Sequence, residues 1–210
     1  MAKRRIVLFG GTFDPIHLGH TAVAVHAAEQ IDAAKVIFIP AKRSPLKDSS
    51  PKASANDRLK MITLATAEDE RFDVSDCELN KPEPSYTLET VRGFQRLLGG
   101  DTSIYWLMGA DGIDELPLWY GIAELIDECD LSVMYRTGCE PPDFAKFKTL
   151  WGRQRIEKLQ KNIIQTPLID ISSTQIRNRL TAGLDVTDML APPVADYIRK
   201  HGLYRTQAMS

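Results

Sequence analysis

Two imidazoles stand three residues apart at the end of Val7–His20, VLFGGTFDPIHLGH, with Gly19 between them. Ahead of them the apolar run Ile6–Phe9 reads as a short buried strand, cut off by Gly10-Gly11, which are expected to make a tight turn. The alanine-rich TAVAVHAAEQ after His20 reads as helix. A strand, a turn and a helix start leave free backbone N–H groups at the positive end of the helix dipole, where an anion is favoured. His17 and His20 fall on neighbouring positions of one helix face and would address the same anion. A metal-binding histidine pair normally stands at i, i+4 with a carboxylate between, as in H-E-x-x-H, and that pattern is missing, so no metal site is expected here. The stretch predicts a site for a nucleotide's phosphates.

Two further clusters follow strand-like runs. Ser103–Met108 (SIYWLM) ends in Gly109-Ala110-Asp111. Leu168–Ile171, expected to be the last strand, runs into Ser172-Ser173-Thr174-Gln175-Ile176-Arg177. Ser172 and Gln175 have capping-box spacing, so Ser173 and Thr174 open a helix and Arg177 lies one turn in. Each cluster also has a plain structural reading. Paired glycines make ordinary turns, Ser172–Arg177 can be a cap with a solvated arginine, and Trp119 can be core. Neither G-x-G-x-x-G nor the Walker pattern G-x-x-x-x-G-K-[ST] occurs.

These clusters need a scaffold, and strand-length apolar runs alternate with helical segments along most of the chain. Arg5–Phe9, Lys35–Pro40, Phe72–Ser75, Ser103–Met108 and Leu131–Tyr135 read as further strands. Leu18–Ile31, Asn56–Ala67, a segment ending at Leu98 before Gly99-Gly100, a short helix closed by Trp119 and Tyr120, Trp151–Gln160 and a final helix opened by Pro192-Pro193 read as helices. The long segment Ala41–Ser54, rich in proline, serine and lysine or arginine, reads as a surface loop. Such alternation predicts an α/β fold. The expectation is a single doubly wound, Rossmann-like parallel sheet with helices on both faces, one domain over 1–210 with residues 206–210 as a disordered tail. Ligands of such sheets bind beyond the carboxyl ends of the strands, so the three polar clusters converge on one crevice.

Composition sets outer limits. The chain of 210 residues, 43% hydrophobic and 26% charged, can bury a substantial core. A formal charge of −2 gives no broad polyanion-binding face, so neither nucleic acid nor an anionic membrane is expected as a partner. Cys77, Cys129 and Cys139 are odd in number and widely spaced, which suggests free thiols in a reducing compartment. No apolar run has the length of a signal peptide core or a membrane span, and a cytoplasmic protein is predicted.

GTFDPIHLGH together with ISSTQIR near the other end resembles the paired signatures of the nucleotidyltransferases, whose H-x-G-H element is shared with class I aminoacyl-tRNA synthetases. PSYTLET (Pro84–Thr90), MGADGIDELPLWY (Met108–Tyr120) and HGLYR (His201–Arg205) extend the resemblance to the bacterial nicotinate-nucleotide adenylyltransferase family, in order and over almost the whole chain. The resemblance implies adenylyl transfer from ATP, with magnesium, to nicotinate mononucleotide, giving deamido-NAD and pyrophosphate in NAD biosynthesis. It implies His17, His20 and Arg177 as the catalytic groups. It places ATP on Gly10, Gly11, Thr12, Phe13, His17, His20, Gly109, Asp111, Ser173, Thr174 and Arg177. The mononucleotide falls to Lys47, Thr87, Trp119, Tyr120 and Arg136, with the ring on Trp119 and the carboxylate at the backbone around Thr87 and Tyr120. The oligomeric state is not implied.

The chain departs from the family in one loop. Where P-P-H-[KR] is common, Ser44-Pro45-Leu46-Lys47 stands, and Ala41 replaces a usual asparagine. Leucine cannot bond a phosphate. Two alternatives therefore stand beside the first reading: an adenylyltransferase for nicotinamide mononucleotide or another phosphate acceptor, and a non-catalytic ATP-binding regulatory protein.

Overall fold

The computed structural model describes residues 3–43, 50–82, 84–167 and 169–205. The Leu46–Lys47 loop and the 206–210 tail lie outside the described residues. The strands are β1 (Arg4–Gly11), β2 (Lys35–Pro40), β3 (Phe72–Val74), β4 (Thr102–Gly109), β5 (Asp130–Arg136) and β6 (Ile163–Thr166). Between and after them come α1 (Leu18–Ile31), α2 (Ala55–Thr66), α3 (Thr87–Leu98), α4 (Ile122–Glu128), α5 (Lys148–Lys161), α6 (Ser173–Thr181) and α7 (Pro192–Lys200). A 3-10 helix, Ala110–Leu118, leads away from β4.

All strand pairs are parallel, in the order β3-β2-β1-β4-β5-β6. β1 lies between β2 and β4, with Ile6 opposite Ile104 and Gly10 opposite Ile39. Its side chains alternate between two cores. Ile6 and Leu8 join Leu88, Val91 and Phe94 of α3 and Leu125 of α4 on one face. Val7 and Phe9 join Ala24 and Ala27 of α1, Met61 of α2, Ile176 of α6 and Val194 of α7 on the other. A strand buried on both faces needs this unbroken apolar run. The strand order reverses between β1 and β4, which opens a crevice at their carboxyl ends. Among the described residues no helix is long and apolar enough to cross a membrane.

Four expectations are corrected. Gly10 and Gly11 are the last residues of β1, paired with Ile39 and Pro40, and not a turn. Among the described residues the last strand is Ile163–Thr166, and residues 169–171 of the expected Leu168–Ile171 run are not strand. The β5 ladder runs from Val133–Ile163 to Arg136–Thr166, and Pro167, which has no N–H to give, follows it. The helix expected to close at Trp119 and Tyr120 is the tight 3-10 helix ending at Leu118, with Pro117 inside it, and α4 restarts beyond Gly121 in the left-handed conformation (φ 63). α5 begins three residues earlier than Trp151 and is broken at Gly152, whose φ of 78 interrupts the helical backbone.

Candidate active site

Sterics explain the two glycines at the end of β1. A Cβ on Gly10 would lie 2.3 Å from Cζ2 of Trp106, and one on Gly11 would lie 2.9 Å from Cζ of Phe13. The chain turns at Phe13, a left-handed residue (φ 48) whose ring is buried against Phe9 at 5.4 Å and His20 at 5.0 Å. Phe13 therefore offers a ligand only its backbone. The buried Arg58 braces this turn, as Nη1 donates to the carbonyls of Thr12 (2.7 Å) and Ala41 (2.8 Å).

His17 is the N-cap of α1 and His20 its third residue, so the pair occupies the first turn of the helix, where the N–H of Leu18 is given to the carbonyl of Met189 at 3.0 Å. Their rings stack at 3.7 Å, 29° from parallel. Nδ1 of His20 accepts the backbone N–H of His17 at 3.2 Å, which leaves the ring proton on Nε2. Burial lowers the pKa of His17 to about 4. Burial, and then the charge of His17, holds His20 well below its ordinary value. Near neutral pH both rings are uncharged donors. A Cβ on Gly19 would come within 3.0 Å of Nδ1 of His17, so the glycine makes room for the first ring. Nδ1 of His17 is itself buried with no hydrogen-bond partner.

α6 is seated directly on this turn. Ser172 caps it, accepting from the N–H of Gln175 at 3.1 Å. Ser173 Oγ donates to the carbonyl of Pro15 at 2.9 Å. Arg177 donates to the carbonyl of Asp14 at 2.7 Å and to Thr174 Oγ1 at 3.0 Å. Two helix N-termini, those of α1 and α6, thus meet at one place, although their residues are more than 150 positions apart.

Beside this junction lies a cavity of about 470 Å³. It joins Gly10, Gly11 and Thr12 to Gly109 and Asp111, and both groups to Thr87, Trp119 and Tyr120. Thr87 is the first residue of α3, so its N–H has no partner within the helix. The Tyr120 ring packs on Tyr86 at 4.6 Å. Arg136 is the exposed last residue of β5 and does not line the cavity. His17, His20, Phe13, Ser173, Thr174 and Arg177 are not among its lining residues; they gather at the β1–α1 turn that follows Thr12, which does line it. Lys47 lies outside the described residues.

Sequence reasoning missed Trp106, Arg43 and Glu78, all of which line the cavity. Glu78 is 5% exposed and accepts the hydroxyl of Thr90 at 2.7 Å, and burial raises its carboxyl above the ordinary range. Trp106 was legible only as one aromatic of an apolar run.

An open parallel sheet with paired histidines and two helix N-termini at its strand-order reversal defines a nucleotidyltransferase-type protein. The cytidylyltransferase-like family model matches residues 8–179. The chain belongs to the nicotinate-nucleotide adenylyltransferase family within that class. It is 40% identical over 201 residues to a Neisseria gonorrhoeae protein described as a "probable nicotinate-nucleotide adenylyltransferase", covering 96% of this chain and 98% of the relative. A Methylacidiphilum infernorum protein of the same description is 38% identical, covering 95% and 92%. The solved nicotinic acid mononucleotide adenylyltransferase of Plasmodium falciparum, in complex with NaAD, shares the fold at a TM-score of 0.71 and 19% identity, covering 96% of this chain and 97% of that one.

Proposed function

We propose that this chain transfers the adenylyl group of ATP to nicotinate mononucleotide, forming deamido-NAD and pyrophosphate as a step in NAD synthesis. One observation carries the reading: a single continuous cavity connects the glycine end of β1 and Asp111 to Trp119 and the start of α3. Two nucleotides laid from opposite ends would meet beside His17 and His20.

The bond that forms joins a phosphate oxygen of the mononucleotide to the α-phosphorus of ATP. The bond that breaks releases pyrophosphate. Nucleophile and leaving group are both phosphates and are ionised near neutral pH, so no strong base is needed, and alignment and charge stabilisation supply the rate. His17 and His20, neutral and capped on α1, give N–H donors to phosphate oxygens whose charge grows in the transition state. Ser173 and Thr174 hold the β- and γ-phosphates at the start of α6. Arg177 has N–H groups beyond those bonded to Asp14 and Thr174 and adds a charged contact. The backbone of Gly10–Phe13 and the residues Gly109 and Asp111 hold the adenosine, with Asp111 accepting from ribose hydroxyls.

Trp119 supplies the flat face for the pyridine ring. The N–H groups around Thr87 and Tyr120 receive its carboxylate, aided by the positive end of α3. A carboxamide there would turn its NH₂ against a donor, and the unmade bond would cost discrimination of the kind buried donors impose. Lys47 and Arg136 are assigned to the mononucleotide phosphate, Arg136 from the end of β5. Magnesium, brought with ATP, would neutralise phosphate charge beside His17, His20 and Arg177. Among the described residues no group of three or more His, Cys, Asp or Glu side chains is gathered to hold a metal, and an ion carried by phosphates needs few protein ligands.

Purified protein given ATP, magnesium and nicotinate mononucleotide should release one pyrophosphate for each deamido-NAD formed. ATP consumption without deamido-NAD would refute the proposal.

A further inference from the structure

The C-terminal segment HGLYR, His201–Arg205, has no part in the transfer as described, yet one of its side chains reaches the turn that carries the histidines. Tyr204 lies beyond α7 in the left-handed region (φ 62), and its hydroxyl donates to Oδ1 of Asp14 across 2.8 Å and 190 positions of sequence. Its carbonyl accepts the hydroxyl of Thr181, the last residue of α6, at 3.0 Å. Burial and the neighbouring Asp14 charge push the Tyr204 phenol far up, so it remains a donor at every working pH.

Asp14 is 5% exposed and takes two further donors. The N–H of Lys52 reaches Oδ2 at 2.7 Å, and the N–H of Ala53 reaches Oδ1 at 3.0 Å. Lys52 and Ala53 form one root of the loop that follows β2. The other root, Ala41, is held by Arg58, and Ala41 and Arg43 line the cavity. The Asp14 carbonyl accepts from Arg177. One buried aspartate therefore links the phosphate turn, a loop root, α6 and the C-terminal segment. A buried carboxylate needs its donors, and charge-assisted bonds of this kind are strong and mutually reinforcing.

We propose that Tyr204 is a positioning residue for adenylyl transfer: its hydroxyl completes the donor set of the Asp14 carboxylate and so holds the Lys52–Ala53 root of the loop whose other root, Ala41 with Arg43, lines the cavity. Without that hydroxyl the carboxylate turns toward the guanidinium groups nearby and loosens its hold on Lys52 and Ala53. The role rests on the adenylyl-transfer reading above.

Tyr204→Phe in the full chain removes one oxygen and keeps the ring. KM for nicotinate mononucleotide should rise about ten-fold, the scale of one hydrogen bond to a charged group. KM for ATP should stay within about two-fold, because Gly10 and Gly11 are held in the β1–β2 ladder opposite Ile39 and Pro40 and the Thr12 carbonyl is held by Arg58. A somewhat lower melting temperature is expected for any loss at a buried carboxylate, so the split between the two KM values decides. Adding Tyr204→Phe to Asp14→Ala should cost nothing further, since Asp14→Ala has already removed the acceptor of that bond. An unchanged KM for the mononucleotide, equal rises in both KM values, or losses that multiply in the double variant would overturn the role. A wild-type chain that forms no deamido-NAD would instead refute the underlying reading, and that outcome is seen before any variant is made.

Discussion

The imidazole rings of His17 and His20 stack at 3.7 Å while the backbone N–H of His17 donates to Nδ1 of His20. That one bond settles which nitrogen of His20 is free to act. With Nδ1 occupied as an acceptor, Nε2 carries the proton and is the atom offered outward. Burial lowers the pKa of His17, and burial followed by the charge of the neighbouring His17 lowers that of His20, so neither ring of the stacked pair is charged near neutral pH. The pair is therefore a set of neutral donors at a helix N-terminus, suited to stabilising phosphate charge and poorly suited to removing a proton as a general base would.

His20→Ala deletes the donor whose orientation the His17 backbone sets. Its loss should lower kcat by about 10²-fold or more, the scale of removing one preorganised donor from a developing charge. The acceptor KM should change little. Steady-state kinetics at saturating ATP make the check, and a wild-type kcat would remove His20 from the chemistry.

The same burial makes stability depend on acid. Burial lowers the His17 pKa to about 4 in the folded chain from an ordinary 6.5, so between those values the unfolded chain binds a proton that the folded chain refuses. Stability from this group is complete above the unfolded value and is lost as pH falls toward the folded one. The loss between pH 6.5 and 5 should be about 1.5 kcal/mol, with His20 acting in the same direction. Urea unfolding across that range gives the slope, and His17→Gln should flatten it. An equal slope in the variant would assign the acid sensitivity elsewhere.

Trp119→Ala removes the flat wall between Thr87 and Tyr120. KM for the mononucleotide should rise by about ten-fold, as loss of an aromatic stacking face implies, while KM for ATP holds. An effect on ATP alone would place Trp119 in the other half of the cavity.

Much of this was legible in the residues themselves. Ile6–Phe9 announces a strand buried on both faces, and the alternation of apolar runs with helical segments announces a doubly wound sheet. The turn bearing His17 and His20 and the cap at Ser172 are local patterns, set by spacing. Gly10 and Gly11 were misread because glycine reports either a turn or a close approach. Here the crowding atoms belong to Trp106, nearly a hundred residues on, and to the buried Phe13 ring. β6 was misplaced because Leu168–Ile171 is the more apolar run, whereas the strand is chosen by pairing with Val133–Arg136. The Asp14–Tyr204 bond, the Arg58 brace on Thr12 and Ala41, and the burial of Glu78 were illegible for the same reason. A polar side chain becomes a structural anchor only through partners brought together by the fold.

The central claim is the choice of acceptor, and one comparison tests it directly. With ATP and magnesium held constant, pyrophosphate release is measured with nicotinate mononucleotide and with nicotinamide mononucleotide, and kcat/KM is compared. The donors assigned around Thr87 and Tyr120 predict a clear preference for the carboxylate, about ten-fold or more for a donor that the bound ring covers and the amide leaves unpaired. Equal or faster turnover of the amide would contradict the account.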